Sequence, residues 1–136
     1  MKVSSSNLAR IVCNAPARAS VTPLLQKLHW LPIQYRINYK ISTLTYSVVA
    51  NNTPGYLRDV LKPYNPARSL RSSDAKLLTV PPTTNCLAVA NRAFSYMAPS
   101  IWNSLSINTR SSVSLDVFKS RLKTELFLHS SSAGLP

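Results

Sequence analysis

Ile33, Ile37, Ile41, Leu44 and Val48 fall in one narrow arc when the chain is wound at about 100° per residue. Tyr35, Tyr39 and Tyr46 fall in a second arc almost opposite, with Arg36 and Lys40 between the two. The pattern predicts a long helix from Ile33 to Val49 with two apolar faces, as a helix sandwiched in a core would have. A second stripe of Leu115, Phe118, Leu122 and Leu126 predicts a final amphipathic helix, capped by Ser112 or Ser114. Lys119 and Lys123 line one edge of this stripe, and Arg121 lies across from them. Phe94, Ala98, Ile101 and Leu105 share a further helical face beside Trp102, which Pro99 should break or kink.

Prolines punctuate the rest. Thr22-Pro23 opens a short helix through Leu28, and Thr53-Pro54 opens another through Leu61, stopped by Lys62-Pro63. From Lys62 to Asp74 no apolar period is visible, so the segment reads as a loop. Leu77 to Val80 and Cys86 to Val89 flank a Pro/Thr/Asn turn and predict a small hairpin. The fold class expected is mostly α with a small β-hairpin (α+β): a compact helical domain over 7–128, with disordered tails at 1–6 and 129–136.

Charge changes this picture most. Sixteen Lys and Arg oppose four acids, for a net charge of +12 in 136 residues. Cut after residues 20, 50, 75 and 110, the chain carries +3, +3, +2, +3 and +1 in turn. No two basic residues are adjacent, so the field is spread along the fold and no polybasic tail exists. A diffuse cationic surface suits sequence-independent contact with an RNA or DNA phosphate backbone better than reading of base edges. It would equally suit an acidic protein surface. The loop carrying Lys62, Arg68 and Arg71, with Lys76 just beyond, is the leading phosphate-contacting element. Arg36 and Lys40 are further candidates, should the tyrosines form a stacking surface for bases rather than packing in the core. Lys119, Arg121 and Lys123 complete the set.

Catalysis is disfavoured. Asp59, Asp74, Asp116 and Glu125 lie far apart in the sequence, and three have a basic residue close by. Acid–base work with paired carboxylates, or two-metal chemistry, needs two converging on one site. Gly55 and Gly134 are the only glycines, too few for a phosphate-cradling loop. His29, beside Trp30, reads as a packed core histidine, since a zinc site needs three more ligands. No metal or cofactor is expected. No stretch approaches the ~18 apolar residues of a membrane span, and the first twenty-one residues lack a signal peptide's apolar centre. The expected location is intracellular, cytoplasmic or nuclear, and not secreted.

The runs TPLLQKLHWLPIQYRINYKI, PGYLRDVLKPYNPARSLRSSD, LLTVP, NRAFSYMAPSIWNSL and SLDVFKSRLKTELF occur in this order between residues 7 and 127. Together they resemble the carboxy-terminal region of LINE-type (non-LTR) retrotransposon reverse transcriptases. The resemblance implies a fragment lying after the endonuclease and polymerase domains, which carry the catalytic acids, and no Tyr-x-Asp-Asp motif occurs here. The family's zinc knuckle is absent as well. Ala90 stands where a Gly is common before the Asn-Arg-Ala-Phe run, and Ser106 where a Pro is common, which puts the hairpin exit and the end of the Trp102 helix in question. The implied role is a non-catalytic accessory module that grips template RNA or target DNA, with the upstream reverse transcriptase domains as further partners. The alternatives are a structural or protein-interaction domain that docks on the polymerase body, and a translated remnant with no function of its own.

Overall fold

A computed structural model describes residues 5–66, 76–82 and 92–132. These residues are mostly helical: α1 (Ser5–Val12), α2 (Val21–Lys27), α3 (Ile33–Asn51), α4 (Gly55–Arg58), α5 (Phe94–Ser104), α6 (Ile107–Arg110) and α7 (Leu115–Ser132). The sequence points to one domain over 7–128. The folded chain divides into two compact units, one of residues 1–37 with 124–136 and one of 38–123.

In the first unit α1 packs on α2, with Ala9, Leu25 and Leu126 buried. Arg10 ties the two helices' connection by donating from Nε and Nη2 to the Ala19 carbonyl, each at 3.3 Å. Three helix ends need a left-handed residue, and with so few glycines Asn and His supply it. Asn14 (φ 48°) and His29 (φ 53°) end α1 and α2. The next amides reach back, Ala15 to the Arg10 carbonyl and Trp30 to the Leu25 carbonyl, both at 2.8 Å, which closes a Schellman motif at each end. Asn52 (φ 55°) ends α3 in the second unit, its own amide donating to the Val48 carbonyl at 3.1 Å and the Thr53 amide to the Ser47 carbonyl at 3.3 Å. His29 therefore does not sit in a core as expected. It is exposed, and its ring stacks on Phe127 with centroids 5.4 Å apart.

The described parts of both expected tails are helical. Ser5 already belongs to α1 and accepts a hydrogen bond from Arg36 Nη1 at 3.0 Å. At the other end, Ser130, Ser131 and Ser132 are helical, and their hydroxyls donate back to the carbonyls of Phe127 and Leu128.

The second unit is built around three rings. Tyr46 of α3 stacks on Phe118 of α7 at 4.4 Å, and Trp102 of α5 lies 5.8 Å from Phe118 and 6.5 Å from Tyr46. Such pairs contribute about 0.5–1.5 kcal/mol each beyond the area they bury. This cluster sets the rotation of α3. Tyr46 is pulled inward, its hydroxyl donating to the Ser112 carbonyl at 2.9 Å, with Ser42 and Thr45 buried beside it. The isoleucine arc is thereby turned to the flank: Val48 is buried, but Ile33, Ile37 and Leu44 are 55%, 42% and 43% exposed. The sandwiched helix expected from two apolar faces is thus buried mainly on one. The tyrosines pack rather than forming an open ladder, with Tyr35 and Tyr39 half-buried and Tyr46 buried.

α7 follows its sequence pattern closely. Ser114 is the cap, accepting from the Val117 amide at 3.3 Å, while Ser112 turns its hydroxyl to the Thr109 carbonyl. Phe118, Leu122 and Leu126 are buried along the stripe. Pro99 does not break α5, which runs through it. The interior proline forfeits one helical hydrogen bond, and burial of Ala98, Pro99 and Trp102 on the same helix offsets the loss. The helix opened near Thr53-Pro54 is shorter than expected, ending at Arg58. Ser106, which replaces the proline common in the resembled family, caps the unforeseen α6 by accepting from the Thr109 amide.

The expected hairpin is not seen among the described residues, which contain no strand. Its first run pairs elsewhere, through an isolated antiparallel bridge between Pro63 and Leu78. Its second run, Cys86 to Val89, lies outside the described residues.

Candidate nucleic-acid interface

The Pro63–Leu78 bridge brings two basic segments side by side. The Tyr64 amide donates to the Leu77 carbonyl at 2.9 Å, and the Thr79 amide to the Lys62 carbonyl at 2.8 Å. One turn of α5 holds the second segment in place. Asn103 accepts from the Leu78 amide at 2.9 Å and donates to the Leu78 carbonyl at 2.8 Å, satisfying both backbone groups with one amide side chain. Its neighbour Trp102 donates from Nε1 to the Lys76 carbonyl at 2.8 Å. Lys76 adopts φ 48°, a left-handed conformation unusual for lysine, and these bonds fix the segment that carries it.

Between these segments and the end of α3 lies a cleft of about 780 Å³, whose described lining residues belong to the second unit. Among the described residues, four cations, Arg58, Lys62, Lys76 and Arg110, line it with one carboxylate, Asp59. Lys62, Lys76 and Arg58 are exposed, whereas Arg110 is 8% exposed. Val49, Pro63 and Leu77 supply an accessible aliphatic side, backed by the buried Val48, Leu61 and Leu78. A concave surface of one sign with low-dielectric walls concentrates field and draws in anions.

Of the residues expected from sequence to contact phosphate, Lys62 and Lys76 are brought together at this cleft. Arg68 and Arg71 lie outside the described residues. Arg36 is exposed in the first unit and engaged with Ser5. Lys40 is exposed on α3, Lys123 is exposed on α7, and Lys119 is half-buried there. Arg121 braces α6 against α7, its Nη1 donating to the Asn108 carbonyl at 2.6 Å and to Ser112 Oγ at 3.5 Å.

Sequence reasoning missed two members of the cleft. Arg58 reads in sequence as the partner of Asp59, although its spacing of four from Lys62 across the end of α4 is a usable signal. Arg110 has none, because it closes a four-residue helix with no repeating pattern. Among the described residues, no three His, Cys, Asp or Glu side chains are grouped to hold a metal ion, and no helix is long and apolar enough to cross a membrane. Comparisons with protein-family models, with curated proteins and with solved structures find no match to this chain.

Proposed function

We propose that this chain is a non-catalytic, sequence-independent RNA- or DNA-binding accessory module, of the kind found after the polymerase in LINE-type retrotransposon reverse transcriptases. The observation that carries the reading is the cationic cleft, which is lined, among the described residues, by four basic residues and one acid in a chain of net charge +12. Phosphate contact needs no more than this: fixed cations on a rigid backbone, with no demand on base identity. Lys119 and Lys123 on α7 and Lys40 on α3 extend the cationic surface beyond the cleft.

The test is binding of labelled single-stranded RNA and DNA across a salt series. Weak, sequence-tolerant binding whose logarithm falls linearly with that of salt is expected. Indifference to both polymers at low ionic strength would remove the proposal.

A second reading has one observation in its favour. Ile33, Ile37 and Leu44 form an exposed apolar line along α3, as a domain docked on a polymerase body would need. It predicts a sparingly soluble, self-associating fragment, and a freely soluble monomer in sedimentation would count against it.

A further inference from the structure

The cleft has two chemically different sides, and a bare phosphate would use only one of them. Its cationic rim is formed by Arg58, Lys62 and Lys76, while Val49, Pro63 and Leu77, exposed or half-buried, form an apolar side. Its volume of about 780 Å³ far exceeds an inorganic anion and falls in the range of about 300–1,000 Å³ typical of small-molecule sites. We infer that this cleft is a discrete nucleotide site, which takes one nucleoside phosphate with its anion on the Lys62–Lys76 rim and its base against the aliphatic side.

The inference rests on the nucleic-acid reading for its class of ligand and adds a defined stoichiometry to it. The rings of Trp102 and Tyr46 are 1% and 5% exposed, so they offer no free face for stacking. The base is therefore packed rather than stacked or read, and all four bases bind with similar strength. The left-handed Lys76 fits the same account. Its carbonyl is engaged inward by Trp102 while its side chain lies in solvent at the rim. Such conformations persist where the surroundings over-determine them, and they cluster at ligand clamps. A free nucleotide and one unit of a single strand share this chemistry.

Calorimetric titration of the full chain with adenosine monophosphate, inorganic phosphate, adenosine and an RNA decamer separates these cases. Adenosine monophosphate should bind saturably at one per chain, at least tenfold tighter than phosphate or adenosine alone. Two variants localise it. Lys62→Gln with Lys76→Asn removes charge while asparagine tolerates the left-handed backbone. Val49→Trp fills the cleft from α3 without altering charge, since Val49 lines it and is 40% exposed. Each should weaken adenosine monophosphate at least tenfold while helical circular dichroism is kept. Competition between the mononucleotide and the decamer identifies a strand unit as the ligand, and lack of competition identifies the free nucleotide.

Binding no tighter than phosphate, or unaffected by Val49→Trp, overturns the cleft inference even if the decamer binds, and leaves the nucleic-acid reading standing. Mononucleotide binding without any decamer binding does the reverse. Should Val49→Trp fail to fold, the lysine double variant decides, and retained affinity there overturns the inference.

Discussion

The indole Nε1 of Trp102 donates to the Lys76 carbonyl at 2.8 Å, joining a buried ring of the second unit to a cationic residue at the cleft rim. One hydrogen bond thus couples the aromatic core to the geometry of the candidate site. Trp102→Phe keeps a ring in the cluster but deprives that carbonyl of its donor. The bond is only part-buried, so its loss should cost about 0.5–1.5 kcal/mol. Urea unfolding should show a loss of this size together with weaker nucleic-acid binding. Unchanged binding in a destabilised protein would uncouple core from cleft.

Asn103 provides a second, separable anchor. Asn103→Ala removes both bonds to Leu78 and should cost about 2 kcal/mol, at roughly 1 kcal/mol per bond. Asn103→Asp keeps the acceptor for the Leu78 amide and loses only the donor. Denaturant midpoints should therefore rank wild type above Asp, and Asp above Ala. An equal loss in both variants would mean that the contact to the Leu78 carbonyl carries the whole effect.

The left-handed helix ends make a conformational prediction independent of any ligand. At Asn52, substitution by Gly should change stability by only a few tenths of a kcal/mol, because both residues accept positive φ. Asn52→Ala should cost about 1–2 kcal/mol, the penalty of placing a Cβ in that conformation. Thermal unfolding of the pair measures the difference, and equal melting temperatures would contradict the cap assignment.

Salt dependence tests the basic loop. For single strands each phosphate contact contributes a slope of about 0.7. Replacing Arg68, Arg71 and Lys76 together by Gln should flatten the dependence of log K on log salt by about 2. An unchanged slope would take the loop out of the account and leave the field to α3 and α7.

The start and buried face of α7 were legible because their determinants are local. A stripe at helical spacing, a serine cap three residues before the bonded amide, and an acid in the first turn all lie within one stretch of chain. The extent of α3 was equally legible, and its orientation was not. Its two apolar arcs offered two faces of comparable width, and the choice fell to Phe118 and Trp102, which are distant in sequence and stack with Tyr46. Pro99 was misleading for a related reason, since its local penalty is visible in the sequence while the burial that outweighs it is not. The candidate site was half legible: Lys62 and Lys76 stood out in a basic stretch, Arg58 was assigned to its acidic neighbour, and Arg110 carried no signal.

The amino-acid sequence alone determined where α3 and α7 begin and how strongly cationic the chain is, because side-chain spacing, capping hydroxyls and proline act within one or two turns, and charge is a simple sum. Only the tertiary structure decided which face of α3 is buried, which segment pairs with Leu78, and which cations share a cleft. Those outcomes depend on contacts between residues far apart along the chain. Their free energy comes from burial and hydrogen-bond satisfaction that exist only once the partners have met.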